Sequence, residues 1–109
     1  MKVENRVKKN EDFQKIIRDN KKCVNKSFIL YYKKNEIGHG RVGISTSKKL
    51  GNAIVRAKVR RQVRAMCREI VSFDKSVDYI LIIRKPYLEK DFATNKDLLS
   101  KLLLNIKED

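Results

Sequence analysis

Arg41-Val42-Gly43-Ile44-Ser45-Thr46-Ser47, then Lys48-Lys49-Leu50-Gly51-Asn52, then a run from Ala53 to Ser72 read as strand, turn and long helix. Alternation puts Val42, Ile44 and Thr46 on one strand face and Gly43, Ser45 and Ser47 on the other. The second face is small throughout. It can admit a close-packed helix or floor an open groove, and glycine inside a strand implies close approach by something. Asn52 is suited to cap the helix. Val55, Val59, Val63, Met66, Cys67 and Ile70 recur at helical spacing and form its apolar stripe. Arg56, Arg60, Arg64 and Arg68 make a second ridge at intervals of four, which Lys58 and Arg61 broaden.

Outward from this unit the chain supplies a partner for each face. Asn10, with Glu11 and Asp12 behind it, opens a first helix whose Phe13, Ile16 and Ile17 share a face. Taken alone, Phe13 is most simply a core residue. Ser27 to Tyr32 is β-rich, with Phe28, Leu30 and Tyr32 on one side and Ile29 and Tyr31 on the other. Lys33 to Gly40 reads as a turn, so the strand at 41–47 is expected to form a hairpin with this one. Tyr79 to Ile83 is continuously apolar, as a strand buried on both faces would be, and Pro86 stops it. Thr94-Asn95-Lys96-Asp97 has a capping-box pattern and is expected to open a last helix, with Leu98, Leu99, Leu102, Leu103 and Ile106 inward. The order helix, strand, strand, helix, strand, helix implies an α/β (α+β) two-layer sandwich, one domain over residues 1–109. If the strands at 41–47 and 79–84 are instead parallel neighbours, the basic helix is their crossover. The general rule would make that crossover right-handed.

The chain has 109 residues, 27 Lys plus Arg against 13 Asp plus Glu, and a formal charge of +14. That length suits one core. No acid occurs between Glu36 and Glu69, a stretch with nine basic residues: Arg41, Lys48, Lys49, Arg56, Lys58, Arg60, Arg61, Arg64 and Arg68. Like charges four apart destabilise an isolated helix by a few tenths of a kcal/mol per pair. A polyanion relieves that repulsion, and the guanidinium fork suits phosphate. Nucleic acid is the favoured partner, ahead of an anionic membrane surface. No apolar run is long enough to span a bilayer, and Lys2, Glu4, Arg6, Lys8 and Lys9 break up any signal-peptide core, so a cytoplasmic protein is expected.

The inventory for protein-borne catalysis is thin. Cys23 and Cys67 form no CxxC pair and read as reduced thiols. His39, the one histidine, lies in a Gly38-His39-Gly40 turn. No phosphate-binding loop or zinc helix occurs. No catalytic residue and no metal ligand is expected from the chain.

Three pieces in order resemble the bacterial ribonuclease P protein subunit. They are Arg6-Val7-Lys8-Lys9-Asn10-Glu11-Asp12-Phe13, the segment Arg41 to Arg56, and Asp78-Tyr79-Ile80-Leu81-Ile82-Ile83-Arg84-Lys85-Pro86. The resemblance implies a protein that binds ribonuclease P RNA, in a complex that removes the 5′ leader of precursor tRNA. Magnesium held mainly by the RNA carries the chemistry. It also implies a left-handed crossover. By the same resemblance, Arg56, Lys58, Arg60, Arg61, Arg64 and Arg68 contact the RNA subunit. Arg6, Lys9, Phe13, Ile17, Tyr31, Ser45 and Lys49 line the leader groove. Ala57 stands where the family's signature has asparagine, Ala65 where a glutamate often follows, and Ile17 where an aromatic is common. The groove set makes physical sense, since single strands stack on aromatics and lay phosphates on a basic track. The competing view of Phe13 and Tyr31 packs them on each other. The competing function is a generic structural RNA-binding protein of the ribosomal kind. A DNA regulator is weaker still, with no paired short helices and only Gln62 among the arginines to read a base.

Overall fold

The computed structural model describes residues 5–7, 10–19 and 21–106. Helix α1 (Asn10–Arg18) is followed by β1 (Lys22–Val24), β2 (Phe28–Lys34) and β3 (Arg41–Ser45). Then come α2 (Ala53–Ile70), β4 (Val77–Ile83) and α3 (Phe92–Leu104), with short 3-10 turns at Lys48–Leu50 and Lys85–Glu89. The sheet is open and mixed, in the order β1-β2-β4-β3. β4 runs antiparallel to β2 and parallel to β3.

The expected hairpin between the strands at 28–34 and 41–45 does not form; β4 lies between them. The reason is β4 itself. Six of its seven residues are buried, so it needs cover on both faces and partners for both rows of backbone groups. Tyr79, Leu81 and Ile83 turn to one core, where they meet Val59, Val63, Met66 and Cys67 of α2 and Leu99 and Leu102 of α3. Ile80 turns to a second, smaller core with Val7 and Ile16.

The hand of the β3-α2-β4 crossover follows from stereochemistry. Val42 turns its side chain into the α2 core, while its carbonyl accepts the Val7 N–H at 3.0 Å on the outer edge of β3. On an upward strand of L-residues, a residue facing the viewer sends its N–H and C=O to the viewer's right. Seen from α2 with β3 upward, the Val7 edge is on the right and β4 on the left. The crossover is therefore left-handed, against the general rule.

Asn52 caps α2 by accepting the Val55 N–H at 3.0 Å. The start of α3 differs from the expected capping box. Asp91, not Thr94, is the cap, and its carboxylate accepts the Thr94 N–H at 2.8 Å. A bond from the Thr94 side chain, and then this backbone bond, hold the Asp91 carboxyl below its ordinary value. Asn95 is thereby turned inward, where it accepts from Ser27 Oγ at 2.6 Å and donates to the Tyr87 carbonyl at 3.0 Å. A helix that began at Thr94 would forfeit these buried bonds. Strand β1 was not expected at all. Its three residues carry too little pattern, and pairing with β2 makes it a strand.

Candidate nucleic-acid interface

The sheet face opposite α2 and α3 can be laid out in rows from the strand registers. One row is Lys33, Asp78 and Arg41; the next is Lys22, Tyr31, Ile80 and Gly43; the last is Val24, Ile29, Ile82 and Ser45. Helix α1 lies across the first two. Its Asp12 reaches Arg41 at 3.5 Å, and Asp19, just past its end, reaches Lys33 at 3.0 Å. Ile16, 2% exposed, anchors it on Ile80 and Val7. The third row is left beside the helix, with Ile29, Ile82 and Ser45 half-buried and Val24 half-exposed.

Gly43 explains how the helix comes so close. A Cβ there would stand 2.5 Å from Phe13 Cζ and 2.8 Å from Ile80 Cδ1. The small face of β3 thus serves both expected purposes: Gly43 receives the helix, and Ser45 lies in the open. Phe13 of α1 rests on Gly43, and Gly43 is separated from Tyr31 by Ile80, two strand spacings or roughly 10 Å across the sheet. The two rings therefore do not pack on each other. Tyr31 is half-buried at the foot of α1, with Lys22 Nζ 5.8 Å from its ring centroid. Ile17 packs into the same small core.

Two hollows lie along β3. Phe13 and Ile44 line both; Arg6, Gly43 and Arg64 line one, and Asn10, Ser45, Thr46 and Arg60 line the other. Of the expected leader set, Arg6 lines the first, Ser45 the second and Phe13 both, whereas Ile17 on α1 and Tyr31 on β2 pack against the small core. Lys49 is exposed on the 3-10 turn, and Lys9 lies outside the described residues. Sequence reasoning missed Val24, Ile29 and Ile82 as an open apolar row, and Thr46 as a wall of the second hollow. The alternation of β2 already put Ile29 on Tyr31's face; Val24 had no signal, because β1 had none.

The basic ridge of α2 borders these hollows. Arg56, Arg60 and Arg64 are half-buried, while Lys58, Arg61 and Arg68 are exposed, as is Ala57 among them. Arg60 Nη1 donates to Thr46 Oγ1 at 2.7 Å. Burial, then the charges of Arg6 and Arg60, push the Arg64 guanidinium below its ordinary value. The Nε atoms of Arg6 and Arg56 are buried without a hydrogen-bond partner. Among the described residues no carboxylate pairs with any of the six basic residues of α2. Glu69, the acid that ends the block, pairs with Lys96 of α3. Arg41 is the exception in the acid-free stretch. It donates to both oxygens of Asp78, at 2.8 and 2.7 Å, and those bonds raise its pKa above the ordinary value. Asp78 also accepts from Asn35 Nδ2 at 2.8 Å. Arg41 therefore fastens the sheet to α1 and is not available to a polyanion.

No cluster of three or more His, Cys, Asp or Glu side chains exists among the described residues, so these residues do not fit a dedicated magnesium cage. No helix among them is long and apolar enough to cross a membrane.

Fold and surface together define a basic α+β protein of the kind that holds RNA: an unpaired cationic helix beside a partly open sheet face. Residues 1–107 match the Ribonuclease P family. The ribonuclease P protein component of Mycoplasma capricolum is 43% identical, over 98% of this chain and all of that protein. That of Listeria innocua is 41% identical, over 94% and 88%. The Staphylococcus aureus RNase P protein structure superposes with a TM-score of 0.84 at 38% identity, covering 92% of this chain and 93% of that one. The Thermotoga maritima RNase P protein gives 0.83 at 30% identity, covering 94% and 98%. The chain belongs to the ribonuclease P protein family, the protein component of a tRNA-processing ribonuclease. Membership favours that role over a generic structural RNA-binding protein.

Proposed function

We propose that the chain acts as one RNA-binding unit that joins ribonuclease P RNA and holds the 5′ leader of precursor tRNA during its hydrolytic removal. The RNA subunit, with the magnesium it holds, carries out the chemistry in the cytoplasm; the protein contributes affinity and positioning. Lys58, Arg61 and Arg68, exposed on the outer side of α2, take phosphates of the RNA subunit, with Arg56 at the start of the ridge. Leader bases lie on the half-open row and against Phe13 and Tyr31. The observation that carries this reading is the long helix whose cations have no carboxylate partners among the described residues, beside an apolar row that its own fold leaves partly uncovered. Solvated surfaces mix signs, and filled cores leave no such row.

The test is cleavage of a leader-bearing precursor tRNA by a bacterial ribonuclease P RNA at low magnesium, with and without this chain. Accurate cleavage at the mature 5′ end is expected only with the chain present. Binding to the RNA with unchanged cleavage would leave a plain RNA binder. Ala57→Asn in the same assay tells whether the missing amide is responsible.

A further inference from the structure

A second basic surface lies at the opposite edge of the sheet from β3. Between Asp12 and Glu36 the chain carries seven lysines or arginines and one acid, Asp19. Asp19 is taken by Lys33 at 3.0 Å. Arg18 at the end of α1, Lys21 and Lys22 where β1 begins, and Lys26 in the turn after β1 are all exposed. No carboxylate among the described residues pairs with any of these four. An edge strand carries lysine to deter pairing with other chains, but Arg18 and Lys26 lie outside β1 and extend the charge beyond what that explains. The charge is also continuous with the half-open row. The pairs Ser45↔Ile82, Ile82↔Ile29 and Ile29↔Val24 carry that row across all four strands, roughly 14 Å from Ser45 to the free edge. Val24, its last residue, is half-exposed. Lys22 stands two residues away on the same face of β1, its Nζ 5.8 Å from the Tyr31 ring centroid.

We propose that Arg18, Lys21, Lys22 and Lys26 form an exit surface at β1, which takes the backbone of the leader's 5′-distal part, beyond the nucleotides that lie on the row. This rests on the leader reading given above. Polarity follows from α2. Its outer cations are assigned to the RNA subunit and its ridge borders the hollows along β3, so the cleaved end of the leader is on the β3 side. The 5′ end then leaves across β1, at the other edge of the sheet. The RNA subunit is the disfavoured occupant, because this face of the sheet is turned away from α2 and β1 is the strand farthest from β3. Proteins hold single strands by stacking bases on a platform and tracking the backbone with cations. Here the apolar platform ends at Val24 and only cations continue, so the contacts past β1 are to phosphates.

Precursor tRNAs whose leaders are shortened one nucleotide at a time from the 5′ end test it. Affinity is measured for the complex of RNA subunit and full chain, with wild type, Lys21→Gln/Lys26→Gln and Lys21→Arg/Lys26→Arg. Both lysines are exposed, and neither is the cation beside Tyr31. Wild type should bind long leaders more tightly than short ones, and the glutamine variant should reduce that gain by about 5-fold, in keeping with two exposed ionic contacts. It should bind the RNA subunit and the short leaders as wild type does, and the arginine variant should keep the gain. With long leaders the salt slope of the glutamine variant should be shallower by roughly 1.4, the share of two phosphates of a single strand. An equal gain with length in wild type and the glutamine variant overturns the exit surface alone. If the glutamine variant instead weakens RNA-subunit binding, whatever the leader, the RNA subunit occupies the surface and the proposal is overturned. Leader-bearing and leaderless substrates bound alike by wild type overturn the leader reading with it.

Discussion

Gly43 and Tyr31 flank Ile80 in one row of the sheet and answer different questions. Alanine in place of glycine within a strand ordinarily stabilises by a fraction of a kcal/mol. At Gly43 the sign should reverse, because the new methyl would stand 2.5 Å from the Phe13 ring. The helix would have to lift, and overpacking of this kind costs about 1–3 kcal/mol. Urea unfolding of Gly43→Ala checks it, and a stabilised variant would mean that α1 is not seated on β3. Tyr31 is half-buried, with one side toward the row that α1 leaves uncovered. Tyr31→Ala should cost leader affinity by ~1–3 kcal/mol, the worth of a stacked base, with no effect on RNA-subunit affinity. Competition between leader-bearing and leaderless precursor tRNA measures the difference. Loss of folding without a change in that ratio would return Tyr31 to the core.

Helix α2 was legible from its residues in nearly every respect: the Asn52 cap, the apolar stripe, and a ridge without acids. Such patterns are local, and the helix repeats them over 18 residues. Where the chain must choose among partners, local pattern failed. The turn at 33–40 suggested a hairpin because adjacency is cheap, yet β4 displaced β3 from β2; an apolar run says that it is central without saying between which strands. The hand of the crossover came from family resemblance, and the Val42 carbonyl then fixed it in the structure. Thr94 illustrates the opposite failure, a good local motif overridden by a buried network that fixes Asn95 one turn in. Charge shows the same limit, since Arg41 counts toward the block in sequence and is consumed by Asp78 in space. The ridge itself makes a quantitative prediction. The four cations of α2 assigned above to the RNA subunit, Arg56, Lys58, Arg61 and Arg68, give a log–log salt slope for RNA binding of roughly −3 to −4. Arg61→Ala, on the outer side, should lower that slope by about one with no loss of fold. Filter binding of the RNA subunit across potassium concentrations checks both, and a slope near zero would remove the electrostatic account.

At the scale of the molecule the two faces of the sheet divide labour through β4. Alternate residues of this one strand serve the helical core and the α1 side, so the face proposed to meet the leader is built on a strand that also belongs to the helical core. The core also sets the response to alkali. Burial pushes the Cys67 thiol from 9.0 to about 12 and the Tyr87 phenol from 10.0 to about 12. Tyr87 stays neutral and donates to Gln62 Oε1 at 2.9 Å, bridging the turn before α3 to α2. In the unfolded chain both groups lose their protons near the ordinary values. Between those values and about 12 the unfolded state therefore binds fewer protons than the native one, and stability must fall as pH rises. Tyr87→Phe isolates one contribution. Wild type should exceed it in stability near neutrality through the Gln62 bond, and that advantage should shrink by about 1–2 kcal/mol as pH rises through the phenol's window. Chemical denaturation of the two proteins at stepped pH measures the gap. A gap that stayed constant would mean that the phenol titrates alike in both states, and that the space between α2, α3 and the sheet is wet.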